Sequence, residues 1–523
     1  MSEKTPDTDH AAAIAQGYAF EEPGVQLGVL MTDDGPDTSV PIRIPVSMFN
    51  RHGLVAGATG TGKTKTLQVM AEALSKAGVP VFAADIKGDL SGMASPGQAG
   101  EKLQARVDKQ GQPWAATPFP CEFYALGGRG EGVPLRATVS SFGPILLGKV
   151  LGLNEVQESS LGLVFYYADK AGLPLLDLSD LIELLKYLTS DEGKAELKGI
   201  GGVSSATVGV ILRNLVTLLS QGGDVFFGEP EFEPQDLLRR AADGRGMVSL
   251  LELPDLSSQP ELFSTFLMWL LADLFQSMPE VGDIEVPKLV FFFDEAHLLF
   301  NNASKSFLDS ITQTVRLIRS KGIGVFFVTQ TPKDVPPDVL AQLGSRVQHQ
   351  LRAHTPNDAK ALKATVSTYP TSSYDLGELL VTLGTGEAII TVMDPDGAPT
   401  PVAWTRIWAP ESSMSPTDPA VLRQGVAQSP LMARYGQPID RDSAREMLTR
   451  KLEAGARTAE EDRRRSDDEQ RPTTQSTRPA PRQSTRREPS LVESVTGSTA
   501  FKQFARTAAR EIVRGLFGAG RRR

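Results

Sequence analysis

Residues 52–64 read HGLVAGATGTGKT, and this stretch decides the fold. Its first five residues are typical of a short buried strand. Its last eight residues match G-x-x-x-x-G-K-[ST], the pattern of a loop that binds phosphate. Glycines allow a tight turn whose backbone N–H groups face phosphate oxygens, and a helix that begins near Lys63 adds the positive end of its dipole. The stretch therefore predicts a strand, a phosphate-binding loop and a helix in succession.

The predicted nucleotide-binding residues are this loop and the residue that follows it. They are Gly57, Ala58, Thr59, Gly60, Thr61, Gly62, Lys63, Thr64 and Lys65. Lys63 is expected to reach the β- and γ-phosphates of ATP, and the Thr64 hydroxyl is expected to bind Mg²⁺. A glycine-rich turn that matches by accident is the alternative, and the strand–loop–helix context disfavours it. The base-reading motif Asn-Lys-x-Asp is absent from the sequence, which favours ATP over GTP.

Two adjacent carboxylates, Asp294 and Glu295, end a second apolar segment at residues 289–293. Asp294 is expected to hold Mg²⁺ through water, and Glu295 to polarise the attacking water. Exposed acids at a strand tip are common, so the pair alone does not predict a metal site. The prediction depends on the phosphate-binding loop upstream in the same sheet. His297 completes the tetrapeptide Asp-Glu-Ala-His, but the Ser-Ala-Thr that follows this box in DEAH-box helicases precedes it here. His297 is therefore interpreted as a packing or supporting residue rather than a catalytic one.

Gln330 follows a third apolar segment, residues 325–329. An amide at that strand tip is able to contact both the attacking water and the γ-phosphate, so Gln330 is predicted to sense the nucleotide. A strand-capping amide is the alternative.

Arginines neutralise transition-state charge from the same subunit or from a neighbouring one. The candidates are Arg316, Arg319, Arg346 and Arg352. Arg346 and Arg352 bracket a late strand and are the preferred catalytic pair, while a surface or salt-bridged arginine is the alternative for each candidate. Asp85, Lys87 and Asp89 follow the second strand of the predicted sheet, at the edge where ligands bind. The sequence assigns them no role beyond a solvated loop.

Near-continuous apolar strands separated by helices predict an α/β fold with a mostly parallel sheet. Alternating segments at 346–352, 387–393 and 401–407 are expected to close that sheet with a hairpin edge. The expected segments are a disordered N-terminus (1–20), a first core part (21–144), a helical insertion (145–220), a second core part with the acidic pair, sensor and hairpin (221–410), a helical extension (411–456), a disordered linker (457–490) and a basic amphipathic C-terminal helix (491–523).

Composition restricts the class of protein and its compartment. Cys121 is the only cysteine among 523 residues, which excludes an internal disulfide and a four-cysteine zinc site. The N-terminus lacks the layout of a signal peptide, and the most apolar helical segment, residues 266–275, is about half the length that spans a bilayer. We expect a cytoplasmic protein.

The charge is unevenly distributed along the chain. The net charge is −9, yet residues 471–523 carry twelve Lys and Arg and only three acids. A helix predicted at 499–517 has an apolar face and a row of basic residues at intervals of four. Such a helix is typical of docking on a partner protein, on an anionic membrane surface or on nucleic acid, and packing on the body of the protein is the alternative.

With these motifs assembled, the chain resembles the HerA/FtsK superfamily of motor ATPases, and looks most like the standalone HerA-like helicase proteins of bacteria. The resemblance covers about residues 20–410. The segments that carry it are the loop Gly57 to Thr64, DIKGDLSG at 85–92, FFDEAH at 292–297, Thr329-Gln330, and the hairpin from Gly386-Glu387-Ala388 to Trp404.

The resemblance implies a RecA-like P-loop NTPase core in which the catalytic Glu295 stands beside the magnesium aspartate. It also implies a ring, usually a hexamer, with arginines acting across subunits and translocation on double-stranded DNA. Two features depart from the family. The N-terminal barrel of archaeal HerA proteins has little room before residue 57, and no DNA-reading winged helix is evident after residue 410.

Three functions therefore stand side by side. The first is an oligomeric ATP-driven motor, translocase or helicase on DNA. The second is a regulatory or scaffold protein controlled by its nucleotide state, and the third is a motor that acts on protein or on conjugation machinery. Glu295 and Gln330 favour turnover of ATP over a simple switch.

Overall fold

A computed structural model describes residues 7–197, 199, 201–253, 259–301 and 303–469. Of these, residues 7–135 and 232–437 form one compact unit, the sheet unit, and residues 136–231 with 438–469 form a second, the helical unit. Every described helix is too short or too polar to cross a lipid bilayer.

The sheet unit is built on one twelve-stranded sheet with the spatial order β2-β1-β12-β11-β10-β3-β9-β8-β4-β7-β5-β6. The strands are β1 (Gly24–Thr32), β2 (Gly35–Pro45), β3 (Gly53–Ala56), β4 (Val81–Asp85), β5 (Cys121–Leu126), β6 (Val133–Leu135), β7 (Val248–Glu252), β8 (Leu289–Phe293), β9 (Ile323–Thr329), β10 (Ser345–Gln348), β11 (Glu387–Thr391) and β12 (Ala403–Ile407). The strands from β10 to β6 run parallel, and those from β10 to β2 pair antiparallel. This confirms the predicted α/β fold with a mostly parallel sheet.

Helices flank the sheet and build the second unit. Those of the sheet unit are α1 (Asp7–Gly17), α2 (Lys63–Lys76), α3 (Glu101–Gln110), α9 (Pro260–Ser277), α10 (His297–Phe300), α11 (Lys305–Ile318), α12 (Pro337–Leu340), α13 (Pro356–Val366), α14 (Leu376–Thr382), α15 (Pro419–Gln428) and α16 (Met432–Tyr435). Those of the helical unit are α4 (Val139–Val150), α5 (Glu155–Lys170), α6 (Leu178–Thr189), α7 (Asp191–Leu197), α8 (Ser205–Ser220) and α17 (Ala444–Glu469).

The central strands are buried along their whole length, which explains their unbroken apolar sequences. Phenylalanines of neighbouring strands pack ring against ring: Phe293 stacks on Phe327 at 5.4 Å between centroids, and Phe82 lies 4.4 Å from Phe291. This core holds β3, β9, β8 and β4 side by side and brings their carboxyl ends to one edge of the sheet.

The helical unit depends on capped, amphipathic helices. Asn154 and Asp177 cap α5 and α6 with reciprocal hydrogen bonds to the third helical residue. Within the unit, α17 packs on α6, and the backbone N–H of Arg445 donates to Asp180 Oδ1 at 3.0 Å.

The expectation of a disordered N-terminus at residues 1–20 is wrong for the described part of that segment. Residues 7–17 form α1, and both Ile14 and Tyr18 are buried. The Tyr18 hydroxyl donates to the Ile390 carbonyl at 3.0 Å. Composition missed this segment because it is held at long range: Tyr18, just after α1, bonds to β11 at a separation of 372 residues.

The predicted linker at 457–490 is also wrong where the structure describes it, because α17 continues to Glu469. A segment poor in apolar residues is still able to form a solvated helix when opposite charges lie one turn apart, as Arg464 and Glu460 do at 2.6 Å. The rest of the linker and the basic helix at 491–523 lie outside the described residues.

Candidate functional site

The phosphate-binding loop is hydrogen-bonded to the chain at the end of β9 and just after β10. The Gly57 amide donates to the Thr329 carbonyl at 3.2 Å, and the Ala58 amide donates to the Gln350 carbonyl at 2.8 Å. Gly60 and Gly62 adopt φ angles of +84° and +118°, which residues other than glycine rarely adopt. The loop conformation therefore depends on its glycines and on β9 and the residues after β10.

The start of α2 is open to an anion. Gly62 precedes the helix in a left-handed conformation, and no side chain caps it. The backbone amides of Gly60, Gly62, Lys63 and Thr64 donate to no oxygen atom within the part of the chain that the structure describes. Unpaired amides at a helix N-terminus suit the phosphates of a nucleotide.

Lys63 turns back onto its own loop. Its Nζ atom donates to the Gly57 carbonyl at 2.7 Å and to the Ala58 carbonyl at 3.2 Å. Burial lowers the pKa of Lys63, while the charges of Glu295 and Asp294 act to raise it. Both acids therefore lie within electrostatic range of the loop lysine.

Asp294 directly follows β8 and carries a poorly solvated charge. Its Oδ1 atom accepts a hydrogen bond from the Glu295 amide at 2.8 Å. Burial, and then the neighbouring Glu295 carboxylate, raise the pKa of Asp294 to about 6. A carboxylate in this setting favours a nearby cation.

The donor set fits magnesium bound together with phosphates. Among the described residues no cluster of three or more His, Cys, Asp or Glu side chains is arranged to hold a metal by itself. Mg²⁺ is commonly held by one or two protein oxygens, with waters and substrate phosphates completing its coordination. Asp294 and Thr64 are the residues that would hold it here.

Glu295 occupies an unusual position. Its φ angle is +49°, in the left-handed region. One carboxylate oxygen, Oε1, lies 3.4 Å from Lys87 Nζ, and the other, Oε2, lies 3.4 Å from His297 Nδ1. Lys87, to which the sequence assigned no role, is therefore part of the acidic end of the site.

The Lys87 loop is shaped by Asp85. The Asp85 carboxylate accepts backbone hydrogen bonds from Gly88 at 2.7 Å, Leu90 at 2.8 Å and Ser91 at 3.1 Å. The position of β4 next to β8 brings this loop beside the acidic pair. Sequence reasoning placed Asp85, Lys87 and Asp89 at the correct edge of the sheet but had no means of pairing Lys87 with Glu295.

Gln330 lies directly after β9, the strand that separates β3 from β8. It is exposed at the edge between the loop and the acidic pair. The preceding residue, Thr329, accepts the Gly57 amide and donates its hydroxyl to Asp334 at 2.8 Å. The structure therefore places Gln330 near both halves of the site, and its sensing role stays a prediction.

Of the preferred arginines, Arg346 lies near the start of β10 and Arg352 lies beyond its end at Gln348. Arg352 donates to the Thr59 carbonyl at 3.3 Å and so contacts the loop. Arg346 instead donates to the Thr368 hydroxyl at 2.7 Å and lies 6.0 Å from the centre of the Tyr369 ring. The two side chains therefore do not meet in one site of the same chain, because β10 runs parallel to β3 and carries Arg346 at the edge away from the loop.

Arg346 belongs to a second feature, the arginine pocket, at the amino ends of β3, β9 and β10. This cavity of about 420 Å³ is lined by Arg51, Arg316, Arg319 and Arg346, among others. Asp283 pairs with Arg319 at 2.8 Å and with Arg51 at 3.6 Å. Burial, and then the charge of Arg319, lower the pKa of Arg51, while the charge of Asp283 acts to raise it.

His349 braces the loop and was missed by sequence reasoning. It is fully buried, and burial lowers the pKa of His349 to about 4, so the ring is neutral. Its Nδ1 donates to the Glu387 carbonyl at 2.8 Å, and its Nε2 accepts the Thr66 hydroxyl at 2.9 Å. A β-carbon at Gly57 would lie 2.5 Å from His349 Cβ. In the sequence, the one feature that could have pointed to His349 is its position as a polar residue directly after the alternating strand β10.

Known proteins share sequence and fold with this chain. The model of the helicase HerA-like C-terminal family matches residues 31–523. The DNA double-strand break repair helicase HerA of Sulfurisphaera tokodaii is 24% identical over 379 residues, 71% of this chain and 67% of that protein. The protein of the same name from Saccharolobus solfataricus is 23% identical over 360 residues, 67% of this chain. The chain spans 64% of the length of that second relative.

Solved structures share the fold. The plasmid coupling protein TrwB in complex with ADP and Mg²⁺ superposes with a TM-score of 0.53 at 15% identity, over 78% of this chain and 94% of TrwB. TrwB with a non-hydrolysable ATP analogue gives a TM-score of 0.50 at 16% identity, over 79% of this chain and 96% of TrwB. At these identities the likeness concerns the fold alone.

Proposed function

The chain belongs to the helicase HerA-like C-terminal family, and on that premise we propose that it is a Mg²⁺-dependent ATPase that works as a ring-forming motor on double-stranded DNA. The observation that carries the ATPase assignment is that the loop with unpaired amides follows β3 and the Asp294–Glu295 pair follows β8, at the same edge of the parallel sheet with only β9 between them.

Each residue of the site has a task in this proposal. The loop amides and Lys63 bind the phosphates, and Thr64 and Asp294 hold Mg²⁺. The ion, when bound, neutralises charge on the phosphate oxygens. Glu295 accepts a proton from water as the water oxygen bonds to the γ-phosphorus and the bond to the bridging oxygen breaks. Gln330 orients that water.

The arginine pocket supports a ring. Arg51 precedes β3, Arg319 precedes β9 and Arg346 is the second residue of β10, so all three lie at the sheet edge opposite the phosphate loop. Side chains there are too far away to serve the loop of their own chain. In a ring, this face of one protomer meets the loop of the next, where arginines stabilise transition-state charge. Arg352 then acts within its own subunit.

Steady-state ATPase activity, measured with and without duplex DNA and alongside the mass of the nucleotide-bound protein, tests the proposal. Glu295→Gln is expected to bind ATP and to hydrolyse it about 100-fold or more slowly. Undiminished turnover would remove Glu295 from the mechanism. Stimulation by DNA separates the DNA motor from a regulatory or scaffold role and from a motor on protein, and it should weaken as salt rises.

A mixing experiment tests the arginine pocket. Rings of Lys63→Ala protomers and rings of Arg319→Ala protomers should each be inactive. Mixed rings should regain activity, because an intact loop then faces an intact arginine at some interfaces. Lys321→Ala is the control, since Lys321 is a neighbouring cation that pairs instead with Glu280 at 3.9 Å. Mixed rings that stay inactive would refute action across subunits.

A further inference from the structure

We propose that Lys87 is a positioning residue for catalysis, holding the Glu295 carboxylate in a fixed direction beside the phosphate loop. The inference rests on the proposed role of Glu295 as the group that accepts the water proton. It adds a residue to which the sequence assigned no role.

The first argument is the contact itself. Lys87 Nζ lies 3.4 Å from Glu295 Oε1, and the side chains are 53% and 15% exposed. The opposite oxygen, Oε2, is buried without a hydrogen bond and faces His297 Nδ1 at 3.4 Å. Lys87 is thus the cation that meets the Glu295 carboxylate from the open side of the site.

The second argument is electrostatic. Glu295 and Asp294 are adjacent acids at a partly buried strand end, where two negative charges disfavour each other. Burial opposes the charge of Lys87, yet Glu295 and Asp294 outweigh it and raise the pKa of Lys87. Lys87 therefore places a positive charge beside the two acids, at the contact between its Nζ atom and Glu295 Oε1.

The third argument is the backbone. Among the described residues, Glu295 and His52 are the non-glycine residues with positive φ, and the value at Glu295 is +49°. Such a conformation persists where surrounding contacts enforce it, and it is enriched at functional sites. The Glu295 side chain starts from this turn, and its two carboxylate oxygens lie 3.4 Å from Lys87 Nζ and 3.4 Å from His297 Nδ1.

The fourth argument is that Lys87 is itself held in place. Asp85 binds three amides of the loop that carries Lys87, and Gly88 turns that loop with a φ of +76°. A solvated loop has no need of a buried carboxylate at its base. The loop instead presents Lys87 to the acidic pair.

The test uses the full-length protein with four variants: Lys87→Met, Lys87→Arg, Glu295→Gln and the combination of Lys87→Met with Glu295→Gln. Lys87→Met should lower kcat about tenfold or more while KM for ATP changes less than about twofold, because a small displacement of a reacting group has a large cost. Lys87→Arg should restore most of the rate. Lys76→Met is the matched control. Lys76 is 46% exposed, and its Nζ atom pairs with Glu411 at 2.6 Å rather than with the acidic pair.

The combined variant decides whether Lys87 acts through Glu295. If it does, adding Lys87→Met to Glu295→Gln should lower kcat no further. An additional loss of the full single-variant size would overturn the proposal, as would unchanged kcat in Lys87→Met. If Glu295→Gln itself keeps wild-type turnover, the proposed function fails. The single variant Glu295→Gln shows this outcome without reference to any variant of Lys87.

Discussion

Replacing Glu252 with glutamine should stabilise the protein, and more so as the pH rises. Glu252 ends β7, is only 8% exposed and lies opposite Asp85 in the sheet register. Its Oε1 atom has no hydrogen-bond partner. Burial, and then the charges of Asp85 and Asp89, raise the pKa of Glu252 from 4.5 to about 8.

The direction of this pH dependence follows from the number of protons bound in the folded and unfolded states. Between pH 4.5 and about 8 the folded protein keeps a proton on Glu252 that the unfolded chain releases. The free energy of unfolding therefore falls as the pH rises through this window. The separation of the two pKa values corresponds to at most about 5 kcal/mol, reached above pH 8. Glutamine has a similar shape and does not ionise, so it removes this loss.

Thermal unfolding followed by circular dichroism from pH 5 to pH 8.5 measures the effect. The Tm of Glu252→Gln should match wild type near pH 5 and exceed it by several degrees at pH 8.5. Glu122 on the neighbouring strand is the control, because it is 6% exposed but bonds to Arg239 at 2.6 Å. Glu122→Gln should lower the Tm instead. A Tm difference for Glu252→Gln that does not grow with pH would refute the reasoning.

Three further substitutions test the loop and its supports. Gly57→Ala should weaken ATP binding at least about tenfold, measured with a fluorescent nucleotide, because the added carbon would lie 2.5 Å from His349 Cβ and the loop must move. His349→Ala removes the links to Thr66 and to β11 and should cost about 2–4 kcal/mol in chemical denaturation; unchanged stability would contradict the bracing role. Tyr18→Phe should cost about 1–3 kcal/mol, since it leaves buried partners of the Tyr18 hydroxyl unpaired, and no loss of Tm would mean that the segment after α1 is not docked as described.

The sequence by itself was sufficient to locate the glycine-rich loop between its strand and its helix, and to locate the central strands of the core. The motif at residues 57–64 was recognisable locally, because its glycines and the start of the following helix are adjacent in the chain. The predicted strands at 289–293 and 325–329 are almost entirely apolar, which is the local mark of burial on both faces, and the structure extends the second to residues 323–329. The acidic pair was recognisable for the same reason, since it directly ends such a strand.

Tertiary structure alone decided which side chains meet. Lys87 reaches Glu295 across more than 200 residues because β4 lies beside β8, and His349 reaches Thr66 because β10 lies beside β3. Strand order and direction also separated Arg346 from Arg352 and assembled the arginine pocket. Such pairings follow from the order in which strands pack, a property of the whole sheet that no local pattern in the chain records.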